Sequence, residues 1–300
     1  MEAQTQSPNR LDQIRAHITL PILRRSLGLL EGHHQSYLKG HGIDFDDLAL
    51  YSPGDDVGDI DWKSSARAGI PILRRFIRQT NITVTLIADT GKGMSASAPD
   101  GQPKSATALY MATLISYLAR ERGDKVALIA GHHEDILQRP GRSSTHDLEL
   151  FLHLLDQHFS ISNPPSDLGT LLLRARDTVR SRSLIVILTD ATQFTDANLT
   201  FLRQLRLRHE VLVIKVANAN PFEVGKNKQL ADVDADLNLP AFFRRNKKLI
   251  RAFNEHSHQI NTQQNQLLSR WGIDAMEATN PAQGLQEFVR LLGRRQLTHG

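Results

Sequence analysis

Four short apolar runs, rich in β-branched residues, alternate with segments of helical periodicity from residue 82 onward. Short runs that are apolar on both faces are typical of strands covered by other elements on both sides. Strands that alternate with helices predict an α/β fold, in which helices flank a mostly parallel sheet. The runs are ITVTLIA (82–88), KVALIA (125–130), SLIVILTD (183–190) and EVLVIKVA (210–217).

The N-terminal part of the chain lacks this alternation and is predicted to be a separate unit. Glycines, acids and aromatics are frequent over residues 32–62, which indicates loops and short strands. We therefore predict a small α+β module over 1–80 and an α/β domain over 81–300. Within that domain, EDILQRP (134–140) is predicted to be an edge strand. Helices are predicted over 104–122, 146–158, 169–181, 195–207, much of 241–271 and 281–295.

Composition excludes several chemistries. The chain has no cysteine, so disulfides, iron–sulfur clusters, thiolate zinc sites and cysteine nucleophiles are excluded. A formal net charge of +4 is too mild to indicate a nucleic-acid partner. No stretch offers the roughly 20 apolar residues that span a membrane, and the polar start has no apolar signal core. We expect a cytoplasmic protein without a membrane span; the sequence makes no prediction of its oligomeric state.

The stretch LIADTGKGMS (86–95) places glycines directly after a strand, as nucleotide-binding loops do. Gly91 and Gly93 loosely match a dinucleotide fingerprint, but that motif needs a helix to begin at the glycines. Two prolines and a glycine between residues 99 and 103 interrupt any such helix. The G-K-[ST] ending of a phosphate-binding loop is also absent there. The sequence therefore predicts neither a dinucleotide site nor a phosphate-binding loop of this type.

Oxygen-bearing side chains follow two of the strands and one loop. Asp89 ends the first strand of the domain, Asp190 ends a middle strand, and Thr170 begins a helix. Ligands of open α/β sheets bind beyond the carboxyl ends of strands, and two carboxylates with a hydroxyl suit Mg²⁺. In the alternative interpretation, Asp89 only accepts hydrogen bonds from loop amides and Asp190 only caps a helix.

This arrangement resembles a von Willebrand factor A-type domain. The metal-ion-dependent adhesion site of that family opens with D-x-S-x-S, which corresponds here to Asp89 and the four residues after it. Gly91 and Gly93 replace both serines, and Lys92 adds a positive charge between them. The resemblance therefore implies a degenerate site, with either no cofactor or weakly bound Mg²⁺.

A second resemblance lies upstream, in GHHQSYLKGHGIDFDDLALYSPGDDVGDIDWKSSAR (32–67). This segment resembles the bacterial family called domain of unknown function 58 (DUF 58), and the resemblance covers about residues 10–297. Two arginines that are common in the family are replaced by Ala49 and Gly58. The matching positions are Gly32, Ser36, Gly40, Gly42, Phe45, Tyr51, Pro53, Gly54, Asp55, Asp56, Ile60, Asp61, Trp62, Ala66 and Arg67.

The acidic residues of this signature have two interpretations. Asp55, Asp56, Asp59 and Asp61 could form a metal site or an acid–base pair. They are interpreted instead as a buried ion-pair network with neighbouring basic residues, in which Trp62 is the apolar anchor. The structural signature comprises Gly54, Asp55, Asp56, Asp61, Trp62 and Arg67.

The family resemblance implies a function. Members are typically encoded beside MoxR-type AAA+ ATPases, so the expected function is that of a non-enzymatic adapter that helps such an ATPase assemble or remodel protein complexes. The partner is expected to contact Lys92, Asp89 and Asp190, and no catalytic residue is needed. The alternative is a Mg²⁺-dependent phosphoryl or nucleotide hydrolase that uses Asp89 and Asp190.

Overall fold

The computed structural model describes residues 10, 11, 14, 44–52, 57–77, 82–222 and 246–298. The chain divides into two compact units, one formed by Glu31–Asn81 and the other by Met1–Leu30 with Ile82–Gly300. The described residues before position 30 thus belong to the larger unit, whereas the sequence assigned them to the N-terminal module. No helix in the described ranges has the length and apolarity needed to cross a bilayer.

The smaller unit contains a two-stranded antiparallel sheet and a short helix. Strand β1 (Asp44–Leu50) pairs with β2 (Ile72–Ile77), and helix α1 (Trp62–Ala68) lies between them in the chain. Asp61 caps α1, because its carboxylate accepts the backbone N–H groups of the second and third helical residues. Gly69 ends the helix in the left-handed conformation, at a φ of 72°.

Two features of the sequence signature have a definite outcome in this unit. Trp62 is the first residue of α1 and is 68% exposed, so its predicted role as a buried apolar anchor is wrong. The carboxylate of Asp61 is occupied by its capping hydrogen bonds and by the Ser64 hydroxyl at 3.1 Å. Gly54, Asp55 and Asp56 lie outside the described residues.

The larger unit is built on a six-stranded sheet in the order β5-β4-β3-β6-β7-β8. Edge strand β5 is antiparallel to β4, and the other neighbouring strands are parallel. This arrangement confirms the predicted α/β fold class with a mostly parallel sheet. The strands are β3 (Thr83–Asp89), β4 (Lys125–Gly131), β5 (Ile136–Arg142), β6 (Ser183–Asp190), β7 (Glu210–Val216) and β8 (Asp274–Ala278).

Helices in the described part of the chain flank this sheet and cover both of its faces. Leu86 and Ala88 of β3 belong to one apolar cluster and Ile87 to another, as expected for a strand buried on both faces. Helices α2, α3 and α7 contribute to the first cluster, and α4, α5 and α6 to the second. The helices are α2 (Lys104–Arg122), α3 (Thr145–His158), α4 (Leu168–Thr178), α5 (Asp196–Arg206), α6 (Lys247–Arg270) and α7 (Pro281–Thr298).

The strand order positions the candidate site. Strand β3 lies between β4 and β6. The chain runs from β3 to β4 and β5 on one side of β3, and it then continues to β6 on the other side. Ligand crevices of open α/β sheets lie at such a switch point, outside the carboxyl ends of the strands. Asp89 is the last residue of β3 and Asp190 is the last residue of β6. The fold therefore brings both carboxylates to the same end of two neighbouring strands, where the carboxyl ends of the parallel strands lie.

A segment near the N-terminus belongs to the core of the larger unit. Leu11 and Ile14 are buried in the first apolar cluster. The backbone N–H of Leu11 donates to Glu149 Oε1 at 2.8 Å, and Arg10 forms an ion pair with Asp156 at 2.7 Å. Both acids lie on α3, so apolar and polar contacts together hold this segment against that helix.

We expect Leu11→Ala to lower the free energy of unfolding by about 2–5 kcal/mol, because it removes a fully buried side chain and leaves a cavity. The matched control is Leu150→Ala on α3, where the leucine is exposed. That substitution should change stability by no more than about 0.5 kcal/mol. Urea unfolding followed by circular dichroism measures both values. Equal effects would contradict the packing of Leu11 in the core.

Candidate functional site

The candidate site lies at the carboxyl ends of β3 and β6. We call Asp89, Lys104, Thr189, Asp190 and Asn218 the charged rim. The Thr189 hydroxyl donates to Asp89 Oδ2 at 3.1 Å, and the charge of Asp190 acts on Asp89. The structure therefore brings together the two carboxylates that the sequence predicted to meet.

Asp89 is a fully buried carboxylate, and no cationic side chain of the described ranges is bonded to it. Its Oδ1 accepts the Gly91 N–H at 3.0 Å, and its Oδ2 accepts the Thr189 hydroxyl. Burial raises the pKa of Asp89 to about 6, because desolvation penalises the charged form. The polar contacts with Gly91, Ser166 and Thr189 lower the pKa, and the charge of Asp190 raises it further.

Asp190 is also buried, but an ammonium group compensates its charge. Lys104 Nζ donates to Asp190 Oδ2 and to Asn218 Oδ1, and the lysine is itself buried. Asp190 Oδ1 accepts the Thr192 N–H at 2.7 Å and the Asn218 side-chain N–H at 3.0 Å. Asp190 thus has a cationic partner and two further donors, a set of hydrogen bonds that stabilises a buried charge.

These contacts agree with the interpretation in which the two aspartates serve local structure. Asp89 accepts a loop amide, and Asp190 caps the 3-10 helix Ala191–Gln193. Lys104 is an additional partner that the sequence reasoning missed. The sequence does contain a signal for this partner. Lys104 is the first residue of α2, where its positive charge lies at the positive end of the helix dipole. This position is unfavourable for a lysine unless an acid compensates its charge.

Thr170, the predicted third oxygen, belongs to a different structural feature. Its hydroxyl donates to Asp167 Oδ2 at 2.7 Å, and its N–H donates to Asp167 Oδ1 at 3.1 Å. These bonds form the N-terminal cap of α4. The structure does not join Thr170 to Asp89 or Asp190. The residue of this loop that acts on Asp89 is Ser166, which packs against Gly91 and lowers the pKa of Asp89; the sequence reasoning did not select it.

The loop before α4 packs tightly on the segment that follows β3. Lys92 N–H donates to the Pro164 carbonyl at 2.9 Å, and the Asn163 side chain donates to the Thr90 carbonyl at 2.7 Å. A Cβ atom at Gly91 would lie 2.4 Å from the backbone N and Cα of Ser166. Only glycine fits at position 91, so a serine, as in the D-x-S-x-S motif of the resembled family, has no room there.

The accessibility of these groups limits what the charged rim can do. Asp89, Lys104 and Asp190 are buried, whereas Lys92 on the neighbouring loop is partly exposed. Within the described part of the chain, no three His, Cys, Asp or Glu side chains gather closely enough to hold a metal ion. A buried ion pair joins α2 to β6 in the charged rim, and Asn218 connects both to the segment after β7. Of the residues predicted to contact a partner, Lys92 is the one that solvent reaches.

The raised pKa of Asp89 predicts that its effect on stability depends on pH. The folded state binds the proton more tightly than the unfolded state, so this stabilisation is complete below pH 3.8 and is lost as the pH rises to about 6. Relative to Asp89→Asn, the wild type should lose about 2–3 kcal/mol across this range. Urea unfolding of both proteins at several pH values measures the difference.

The control for this series is Asp100→Asn, which removes an exposed loop carboxylate of the same unit. Its difference from the wild type should stay nearly constant over the same pH range. A wild-type minus Asp89→Asn difference that also stays constant would show that Asp89 does not titrate abnormally.

The close approach of Ser166 to Gly91 predicts the cost of adding a side chain there. Gly91→Ala should destabilise the protein by about 1–3 kcal/mol, because backbone atoms must move to accept the methyl group. Gly293→Ala on α7 is the control, since a Cβ there meets open space. It should leave stability unchanged or raise it by up to about 1 kcal/mol. Thermal unfolding compares the two variants, and an unchanged Gly91→Ala midpoint would contradict the described packing.

Comparison with solved structures finds several chains to which this chain is similar in part. An aerotolerance-related membrane protein from Bacteroides fragilis NCTC 9343, with multiple mutations to serines, matches with a TM-score of 0.41 and 15% identity. The match covers 71% of this chain and 100% of that chain. A von Willebrand factor type A protein from Catenulispora acidiphila matches with a TM-score of 0.39 and 13% identity, over 74% of this chain and 43% of that chain.

Comparison of sequences finds relatives in mycobacteria. An uncharacterized protein of Mycobacterium tuberculosis (strain ATCC 25618 / H37Rv) is 26% identical over 214 residues. The aligned region covers 69% of this chain and 65% of that protein. An uncharacterized protein of Mycobacterium bovis gives the same values. The chain thus spans just under two thirds of the length of these curated relatives.

A family model identifies the chain more directly. The model described as "Protein of unknown function DUF58" matches residues 47–264, which is well over half of the chain. The match begins within the signature segment (32–67), includes Tyr51, Asp61 and Trp62, and continues through the charged rim into α6. The resemblance seen in the sequence is therefore confirmed, and the chain belongs to the DUF58 family.

Proposed function

We propose that this protein is a non-enzymatic adapter that binds other proteins and works with a MoxR-type AAA+ ATPase. Its task would be to help that ATPase assemble or remodel a protein complex. Family membership makes the ATPase the first partner to test. A cytoplasmic location belongs to the same proposal, because the partner would hydrolyse ATP there.

The observation that carries the proposal is the exposure of Trp62 within the family signature. This side chain is 68% exposed at the first position of α1, and the Asp61 cap fixes the helix start that holds it. Tryptophan is enriched among the residues that dominate protein–protein binding energy. Three further large apolar side chains of the same small unit are exposed, which adds to the apolar surface available for a partner: Leu50, Val57 and Ile70.

The chemistry of the charged rim supports binding over hydrolysis. A phosphoryl hydrolase would need a carboxylate that can reach a substrate or a Mg²⁺ ion, but Asp89 and Asp190 are buried. Both oxygens of Asp89 already accept hydrogen bonds, and Asp190 is paired with Lys104. Of the residues predicted to contact a partner, we keep Lys92. In place of Asp89 and Asp190 we propose Trp62 and the exposed apolar side chains of the same unit.

We expect Trp62→Ala to weaken binding to a purified MoxR-type ATPase from the same genome by about thirtyfold, which is the loss typical of a binding hot spot. The control is Leu207→Ala, which removes another exposed apolar side chain, 81% exposed, just after α5 of the larger unit. It should leave the dissociation constant within about twofold of wild type, a small change on the free-energy scale of binding. Calorimetric titration of the full chain measures both values.

Two results would contradict the adapter proposal. One is a dissociation constant that Trp62→Ala and Leu207→Ala change equally. The other is turnover of a phosphate ester or nucleotide by the purified chain, lost in Asp89→Asn and Asp190→Asn. The second result would favour the hydrolase alternative.

A further inference from the structure

The position of Lys104 makes it the central group of the charged rim. It is the first residue of α2, and its aliphatic stem and ammonium are buried. The ammonium donates to Asp190 Oδ2 from β6 and to Asn218 Oδ1 after β7. A cation therefore already lies where the carboxylates of two neighbouring strands meet.

The groups around this ammonium suit a divalent cation less well than they suit the ammonium. Mg²⁺ requires oxygen ligands at about 2.0–2.1 Å in near-octahedral geometry. Asp190 offers one oxygen that already binds Lys104 and another that accepts two N–H donors. A divalent ion at Asp190 would therefore lie against the Lys104 ammonium, and the two positive charges would repel each other.

The charges of the site show why lysine and metal exclude each other. When ionised, Asp89 and Asp190 together carry two negative charges, and Lys104 balances one of them. The remaining carboxylate, Asp89, is buried, and its partners in the part of the chain that the structure describes are neutral donors. Without the lysine, the same carboxylates would leave two uncompensated negative charges, which is the charge that one divalent ion neutralises.

We propose that the Lys104 ammonium takes the place of the divalent cation at the charged rim, so that this site is independent of metal ions. The lysine links α2 to the ends of β6 and β7 as a metal ion would, through bonds to oxygen atoms from different elements. The inference concerns the cation alone and does not depend on the identity of the protein partner.

The proposal predicts that removing the lysine charge creates a metal site. Lys104→Met keeps the length of the stem and removes the ammonium, while Asp89, Asp190 and Ser166 stay in place. Titration of the full chain with Mn²⁺, followed by the electron paramagnetic resonance signal of the free ion, should show one saturable site in Lys104→Met. Its dissociation constant should be at least about tenfold below any value for wild type.

Controls make the result specific to the charged rim. Lys125→Met removes an exposed lysine at the start of β4, at the amino ends of the parallel strands and away from the charged rim. This variant should behave as wild type. The double variant with Lys104→Met and Asp190→Asn should lose the new site. Saturable Mn²⁺ binding by wild type that Asp190→Asn abolishes would overturn the proposal, as would a folded Lys104→Met protein that binds no Mn²⁺.

A second measurement decides the question if Lys104→Met does not fold. The melting temperatures of wild type and Asp190→Asn are compared in Mg²⁺ and in EDTA. We expect the wild-type value to be the same in both solutions, because no metal binds the folded state more tightly than the unfolded state. A rise in Mg²⁺ that is present in wild type and absent in Asp190→Asn would overturn the proposal.

Discussion

The buried ion pair between Lys104 and Asp190 is the interaction on which the candidate site of the larger unit depends. It joins the first turn of α2 to the end of β6, and Asn218 extends it to the segment after β7. Breaking a buried pair by removing one partner typically costs about 3–5 kcal/mol, because the other charge stays buried without compensation. The pair therefore constrains which side chains the neighbouring positions can hold.

The rest of the site follows from the fact that the Lys104 ammonium pairs with Asp190 and not with Asp89. The donors to Asp89 among the described residues are neutral, so burial dominates its titration and raises its pKa. The Ser166 loop closes directly over Gly91, which leaves no room for a side chain in the place of the motif serine. The close packing of this loop at Gly91 and the bonds of Lys104 to Asp190 and Asn218 both lie at the carboxyl ends of the strands.

Sequence periodicity was sufficient for the fold but not for the site. The β-branched runs identified β3, β4, β6 and β7, because strands covered on both faces need apolar side chains at every position. Asp89 and Asp190 were found because they end two of those runs. Ser166 was missed because loop conformation, which sequence spacing does not encode, decides which residue of the loop lies near Asp89, and the Thr170 hydroxyl bonds to Asp167 instead. Lys104 was missed because its partner lies 86 positions away, and the exposure of Trp62 depends on tertiary packing.

Together these features describe a DUF58 protein whose two units offer different properties: a buried, charge-paired rim in the larger one and an exposed tryptophan in the smaller one. The central claim is that Lys104 supplies the cation of the rim. A crystal structure of the full chain grown in Mn²⁺, with anomalous data collected at the manganese edge, tests it most directly. We predict Lys104 Nζ between Asp190 and Asn218 with no anomalous peak beside them. A manganese peak bonded to Asp190, with Lys104 displaced, would contradict the claim.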